Sequence, residues 1–187
     1  LLQTNINGKN HAFFAIERFD RNQGKRIHVA SLSGLVYASH REPSVSYKDI
    51  FKVTYHLSKD IQQLKQLNKL MIFNVLMNNK DDHTKNFSFL FNEDKKSWQL
   101  TPSYDLVYSA GVGNEHMSDI NGQGNAAYKD ILSLVGEFKL DCDSQIEKTI
   151  EVANEWKNYA EKYEVPTKEK NDLDSKSSAS PHHLYYP

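Results

Sequence analysis

NNKDDHTKNFSFLFNEDKKSWQLTPSYD, the stretch from Asn78 to Asp105, decides how this chain is read. Asp81, Asp82, His83, Lys85 and Asn86 crowd a short polar turn directly after an apolar helical run. A strand pattern follows (Phe87-Ser88-Phe89-Leu90-Phe91), then a turn, then Trp98-Gln99-Leu100, and this hairpin delivers a second acidic residue, Asp105. A carboxylate, a carboxamide and a second carboxylate gathered by one hairpin are what phosphoryl transfer to a hydroxyl uses. One group accepts the hydroxyl proton and two hold Mg²⁺ against the phosphates. Each also has a plainer reading. Asn78 to Asp82 makes a good helix terminator, and Asp105 after Pro102-Ser103-Tyr104 is an ordinary turn residue until its linkage to Asn86 is considered.

Working outward, Ile61, Leu64, Leu67, Leu70, Met71, Asn74 and Val75 recur at helical spacing, which predicts a helix from about Asp60 to Met77 with its start marked by Ser58. Its last turns, from Leu70, are apolar nearly all round, so the polar loop stands on buried support. A shorter helix begins at Ser46 with Asp49 three residues on, a capping-box echo, and has an apolar face of Tyr47, Ile50, Phe51, Thr54 and Tyr55. Further upstream, Phe13 to Phe19 reads as a buried strand, Asp20 to Gly24 as a turn and Arg26 to Leu32 as a second strand, with Leu1 to His11 a polar loop. Downstream, Leu106 to Asn125 is irregular and glycine-rich. It is a surface loop or a mobile segment behind the second acid. Helices are predicted over Ala126 to Val135 and Ser144 to Tyr163, ended by Pro166, before a Lys-, Asp- and Ser-rich tail expected to be disordered. The class is α+β, mostly α-helical.

The chain has 187 residues, which suits one domain or one lobe of a larger one. Its hydrophobic content of 39% and net charge of −1 describe a soluble globular protein without a basic field for direct nucleic-acid contact. One cysteine, Cys142, cannot form an internal disulfide. No apolar run has the length of a membrane span and no signal peptide is visible, so a cytoplasmic location is expected. The first residue is Leu rather than Met, which suggests a fragment, a processed product or an incomplete reading frame.

Asp81-Asp82-His83-Thr84-Lys85-Asn86-Phe87-Ser88, followed by Leu100-Thr101-Pro102-Ser103-Tyr104-Asp105, resembles the catalytic segment of the HipA-type toxin serine/threonine kinases. Ile16-Glu17-Arg18-Phe19-Asp20-Arg21 resembles the hinge between that family's two lobes, and the likeness runs roughly from Phe13 to Lys168. It implies the C-terminal lobe of a protein-kinase-like fold over residues 1–168, with a hinge strand and a small hairpin carrying the metal-binding residues, then a tail over 169–187.

The resemblance makes Asp81 the catalytic base, five positions ahead of Asn86, with Asn86 and Asp105 as Mg²⁺ ligands. Glu17 and Phe19 would offer backbone atoms to the adenine of ATP, and Asp20 would approach the ribose; a plain strand end is the competing reading of that segment. Lys85 either neutralises the transferring phosphate or solvates the loop. Asp82 is expected to face solvent and His83 to be a structural hydrogen-bonder. His116 to Asp119 also resembles a family segment, without an assignable chemistry.

The same resemblance implies ATP- and Mg²⁺-dependent phosphoryl transfer to Ser or Thr of a protein substrate, such as an aminoacyl-tRNA synthetase, by a toxin held by a HipB-like antitoxin. A Gly-rich loop and a phosphate-gripping Lys should precede the hinge, and Leu1 to Ala12 contains neither, so the N-terminal lobe is absent. The chain alone is therefore expected to be weak or inactive, working within a longer enzyme or with a separate N-terminal-lobe subunit. The alternative is a non-catalytic remnant or pseudokinase that binds an antitoxin or partner subunit. A metal-dependent hydrolase built on Asp81, Asp82 and His83 is weaker, because such sites need more converging ligands than His11, His28, His40 and His56 offer.

Overall fold

The apolar repeat ahead of the polar loop forms the central helix, and the rest packs around it. The computed structural model describes residues 2–13 and 15–163. Two hairpins come first, β1 (Leu2–Ile6) with β2 (Lys9–Phe13), and β3 (Arg21–Asn22) with β4 (Lys25–Arg26). Then follow β5 (Val29–Ser31), α1 (Leu32–Val36), α2 (Tyr47–Ser58) and α3 (Ile61–Leu76). After the polar loop come β6 (Ser88–Asn92), β7 (Ser97–Leu100), α4 (Tyr128–Glu137), α5 (Asp143–Asn154) and α6 (Trp156–Lys162). Among the described residues no helix is long and apolar enough to cross a membrane.

Helix α3 is capped by Asp60, whose Oδ1 accepts from the Gln62 N–H at 2.9 Å, rather than starting from Ser58. Leu64, Leu67, Met71 and Ile72 are buried on it in one core cluster with Tyr47, Ile50 and Phe51 of α2 and Ile131 and Leu134 of α4. Tyr55, expected on the buried face of α2, lies half in solvent instead. The cap of α2 is as read: Ser46 Oγ accepts from the Asp49 N–H at 3.2 Å and donates to its carboxylate at 2.7 Å. Ser46→Ala is expected to cost about 1 kcal/mol of unfolding free energy. Urea titration of the domain measures it, and no shift in midpoint would mean that the cap contributes nothing.

The expected hairpin is present, but it is two strands of three. β5 pairs antiparallel with β6 and β6 with β7, placing Ala30, Phe89 and Leu100 in register across the sheet. Phe87, Phe89 and Leu100 are buried. Helix α3 also bonds to the sheet, since the Leu100 N–H donates to Gln63 Oε1 at 2.8 Å and Gln66 Nε2 to the Thr101 carbonyl at 3.3 Å. The polar loop that follows α3 and the segment leading to Asp105 are thus both attached to α3.

The N-terminal reading needs correction. Leu2 to Phe13 is a hairpin and not a loop, turned by Asn7 and Gly8 at φ 52° and 78°. Two positive φ values are what a two-residue primed turn demands, and Asn-Gly is its strongest sequence signal. The expected strand from Phe13 to Phe19 is not formed. Strand β2 ends at Phe13, and residues 15–18 carry no regular structure, with Ile16 72% exposed. The second expected strand divides into β4 and β5. The last helix divides as well, into α5 and α6 around Glu155. Pro166 and the expected tail lie outside the described residues.

Candidate active site

The site begins where α3 stops. Asn78 takes the left-handed conformation, φ 52°, and turns the chain out of the helix. Residues 79–83 then run without helical structure. The Asn79 region bridges to Ser109, with the Lys80 N–H donating to the Ser109 carbonyl at 3.2 Å and the Ser109 N–H to the Asn78 carbonyl at 3.0 Å. From Lys80 to Thr84 buried and less buried side chains alternate. Lys80, Asp82 and Thr84 are buried, while the Asp81 side chain is 49% exposed. Alternation is what extended backbone imposes on successive side chains.

Asp82 was expected in solvent and is instead in the core. Its Oδ2 accepts from Tyr47 Oη and faces His116 Nδ1, both at 2.8 Å, and its Oδ1 accepts from the Met117 and Ser118 N–H groups at 2.9 and 3.4 Å. Its carbonyl accepts from Ser118 Oγ at 2.7 Å. Burial and the Asp82 charge hold the Tyr47 phenol well above its usual pKa, so it stays a donor. Asn74 Nδ2 supports Tyr47 Oη at 3.0 Å and Asn79 Nδ2 supports Asn74 Oδ1 at 2.9 Å, continuing the chain of hydrogen bonds.

Lys80 does similar work on the other side of Asp81. Its Nζ donates to the Asn114 carbonyl and to Asn125 Oδ1, both at 2.8 Å. Burial draws its pKa below the ordinary lysine value, partly offset by the Glu115 and Asp82 charges. Gly111 crosses this stem at φ +68°, where an added Cβ would lie 2.8 Å from Lys80 Cβ and 2.2 Å from the Glu115 carbonyl oxygen. The segment after Asp105, read from sequence as a surface loop or a mobile segment, is bound to the loop through residues 109–118.

Asn86 is fastened by its Nδ2, which donates to the Asp81 carbonyl at 2.9 Å, and its carboxamide oxygen is the atom of that side chain able to accept. Tyr104 links the far end of the hairpin to the same place, because its hydroxyl donates to the Lys85 carbonyl and lies 2.6 Å from Ser88 Oγ. Asp105 follows at once, exposed and at φ 54°. Among the described residues no group of three or more His, Cys, Asp or Glu gathers as a metal site. A carboxamide oxygen and one carboxylate are nevertheless a suitable pair for Mg²⁺, which takes few protein oxygens and keeps waters and substrate phosphates.

Lys85 is exposed, with its Nζ 3.0 Å from His40 Nε2. Burial and the charges of Lys85, Arg41 and His83 hold His40 below its usual pKa, which suits it as the neutral acceptor. The His40 and His83 rings meet edge to face at 5.9 Å, and His83 Nε2 lies 3.9 Å from Asp81 Oδ1. In the hinge-like segment, Phe19 packs on Tyr104 with ring centroids 5.7 Å apart. Glu17 is exposed. The Asp20 carboxylate is engaged by Arg18 and Arg21, each at 2.7 Å, and the hydrogen bond from Arg18 draws its pKa down.

The structure therefore ties Asn86 to the Asp81 backbone and Tyr104, beside Asp105, to the Lys85 backbone, with Phe19 against Tyr104 and the Lys85 ammonium at His40. Glu17 and Asp20 make no hydrogen bond or ion pair to the loop among the described residues. Sequence reading missed Tyr47, Lys80, Tyr104 and His40 as partners of the loop. Only the segment His116 to Asp119 had been singled out, without a role.

The family described as HipA-like C-terminal domain matches residues 2–168. A curated protein of Haemophilus influenzae named "Putative kinase" is 32% identical over 111 residues, which is 53% of this chain and 32% of that protein. Another, "Putative kinase Y4dM" of Sinorhizobium fredii, is 27% identical over 95 residues, covering 50% of this chain and 23% of that one. Among solved structures, a chain of the Shewanella oneidensis MR-1 toxin–antitoxin complex of HipA, HipB and operator DNA matches with a TM-score of 0.66 at 18% identity. That match covers 90% of this chain and 47% of the other, and it shows a shared fold. The chain thus spans less than half the length of each of these proteins.

Proposed function

The chain belongs to the HipA-like C-terminal domain family, and from that membership we propose that it is the catalytic C-terminal lobe of a HipA-like serine/threonine protein kinase. The lobe would occupy residues 1–168 and work in the cytoplasm, with the phosphate-covering N-terminal lobe contributed by the same polypeptide or by a separate subunit. The observation that carries the reading is the pairing of Asp81 and Asn86. The carboxamide of Asn86 is fixed to the backbone of Asp81 at 2.9 Å, while the Asp81 carboxylate remains open to an incoming hydroxyl.

Asp81 orients a substrate Ser or Thr hydroxyl and accepts its proton as the oxygen bonds to the γ-phosphorus of ATP and the bond to the leaving ADP oxygen breaks. Asn86 Oδ1 and the Asp105 carboxylate would hold Mg²⁺, which when bound supplies neutralisation of the phosphate charge. Lys85, next to Asn86 in sequence, would supply a further cation for the phosphates. Backbone atoms of Glu17 and Phe19 would receive the adenine, and Asp20 would lie toward the ribose. The substrate is a protein, with an aminoacyl-tRNA synthetase the first to try. The HipA–HipB complex of the Shewanella neighbour supports a HipB-like antitoxin as the natural partner.

The test is transfer of radiolabelled γ-phosphate from ATP to protein by the full-length kinase that includes both lobes. Labelling should require Mg²⁺, fall to background with excess EDTA and return when Mg²⁺ is restored. A folded full-length protein that labels nothing under these conditions would overturn the reading in favour of a non-catalytic, partner-binding domain.

A further inference from the structure

We propose that Asp82 is a positioning residue for this reaction, its buried carboxylate tying helix α2 and residues 116–118 to the backbone that presents Asp81. The proposal rests on the kinase reading of Asp81 given above. A carboxylate is costly to bury unless every lone pair is matched. Asp82 meets that condition with Tyr47 Oη, His116 Nδ1 and the Met117 and Ser118 N–H groups around its two oxygens. With its side chain at 0% exposure and its acceptors engaged, it has no capacity left for a metal or a substrate. Its contribution must pass through its neighbours.

The partners show what those neighbours gain. Tyr47 opens α2, His116 to Ser118 lie within the irregular segment after Asp105, and the two are brought to one point by Asp82 alone of the loop's carboxylates. Lys80 fastens the same irregular segment through Asn114 and Asn125. Asp81 therefore sits between two anchored residues, in a stretch without helix or strand to hold it. A catalytic group must be held within a fraction of an ångström to be productive, and supporting hydrogen bonds supply that constraint. An apolar side chain at position 82 would fill the space but leave the tyrosine, the histidine and the Ser118 amide without their acceptor, and the Met117 amide with the Lys80 carbonyl alone.

Asp82→Asn in the full-length kinase keeps the shape and replaces one acceptor oxygen by a donor facing donors. Its kcat should fall about 10–100-fold with the KM for ATP changed less than about twofold. Tyr47→Phe removes a single donor while keeping the ring against Phe87, and should lower kcat by a smaller factor, about three- to tenfold. Rates are normalised to the folded fraction by titrating bound ATP, and amide exchange of Met117 and Ser118 is followed in the same variants. Faster exchange together with the selective kcat loss supports the proposal. Normalised kcat values equal to wild type in both variants would overturn the positioning role alone, leaving Asp82 a purely structural group. A wild type that transfers no phosphate would overturn the kinase reading and the positioning role with it.

Discussion

Asp81→Asn in the full-length kinase should lower phosphoryl transfer by about 10²–10⁴-fold, the range a positioned general base contributes. Asparagine matches the carboxylate in size but cannot take up the hydroxyl proton. The fold should not register the change. Asp81 is half exposed, and its described ionic neighbour, His83 Nε2, lies at 3.9 Å, beyond hydrogen-bonding distance. Stability should therefore stay within about 0.5 kcal/mol of wild type. Initial rates at saturating ATP and Mg²⁺, with melting curves beside them, make the comparison. A variant as fast as wild type would remove Asp81 from the chemistry, whatever the family resemblance. The adjacent Asp82→Asn differs in kind, because there the local hydrogen bonds change along with the rate.

The second large effect concerns the sheet that carries the site. Phe89→Ala is expected to destabilise the domain by about 3–5 kcal/mol, enough to remove much of the stability of an ordinary domain. Phe89 has no exposed surface and lies on the middle strand, paired with Ala30 on one side and Leu100 on the other. Truncation leaves a cavity that neither flanking strand can close without losing its ladder. Urea unfolding followed by far-ultraviolet circular dichroism gives the value, with Leu132→Ala, on the partly exposed face of α4, as a control expected near zero. A loss under about 1 kcal/mol would show that this sheet does not share the core of α2 and α3.

The elements that the sequence made visible are those whose signals are local. Helix α3 announces itself by apolar spacing, α2 by Ser46 and Asp49, and the β6–β7 hairpin by alternation around a polar turn. The Asn7-Gly8 turn was an equally local signal, obscured by the polar residues of the strands it joins. What stayed hidden depends on distance along the chain. Nothing within a window around Asp81 and Asp82 tells which of two adjacent aspartates faces inward, because the answer lies in Tyr47 and His116, 35 and 34 residues from Asp82. His40 meets Lys85 across 45 residues for the same reason. Residues 106–125 lack periodicity because hydrogen bonds to Lys80 and Asp82, more than a repeating apolar face, give them their order.

Those long separations also set an order of events while the chain folds. Helix α3 and the β6–β7 hairpin draw mainly on residues close together in sequence and can form early. The Asp82 cluster must wait until three distant pieces of chain have met, and contacts of that kind gain nothing until the intervening loops have closed. During synthesis, the loop bearing Asp81 would emerge well before His116 to Ser118 exist to secure it. The geometry of the Asp81 loop is thus completed only after residues 116–118 have been made.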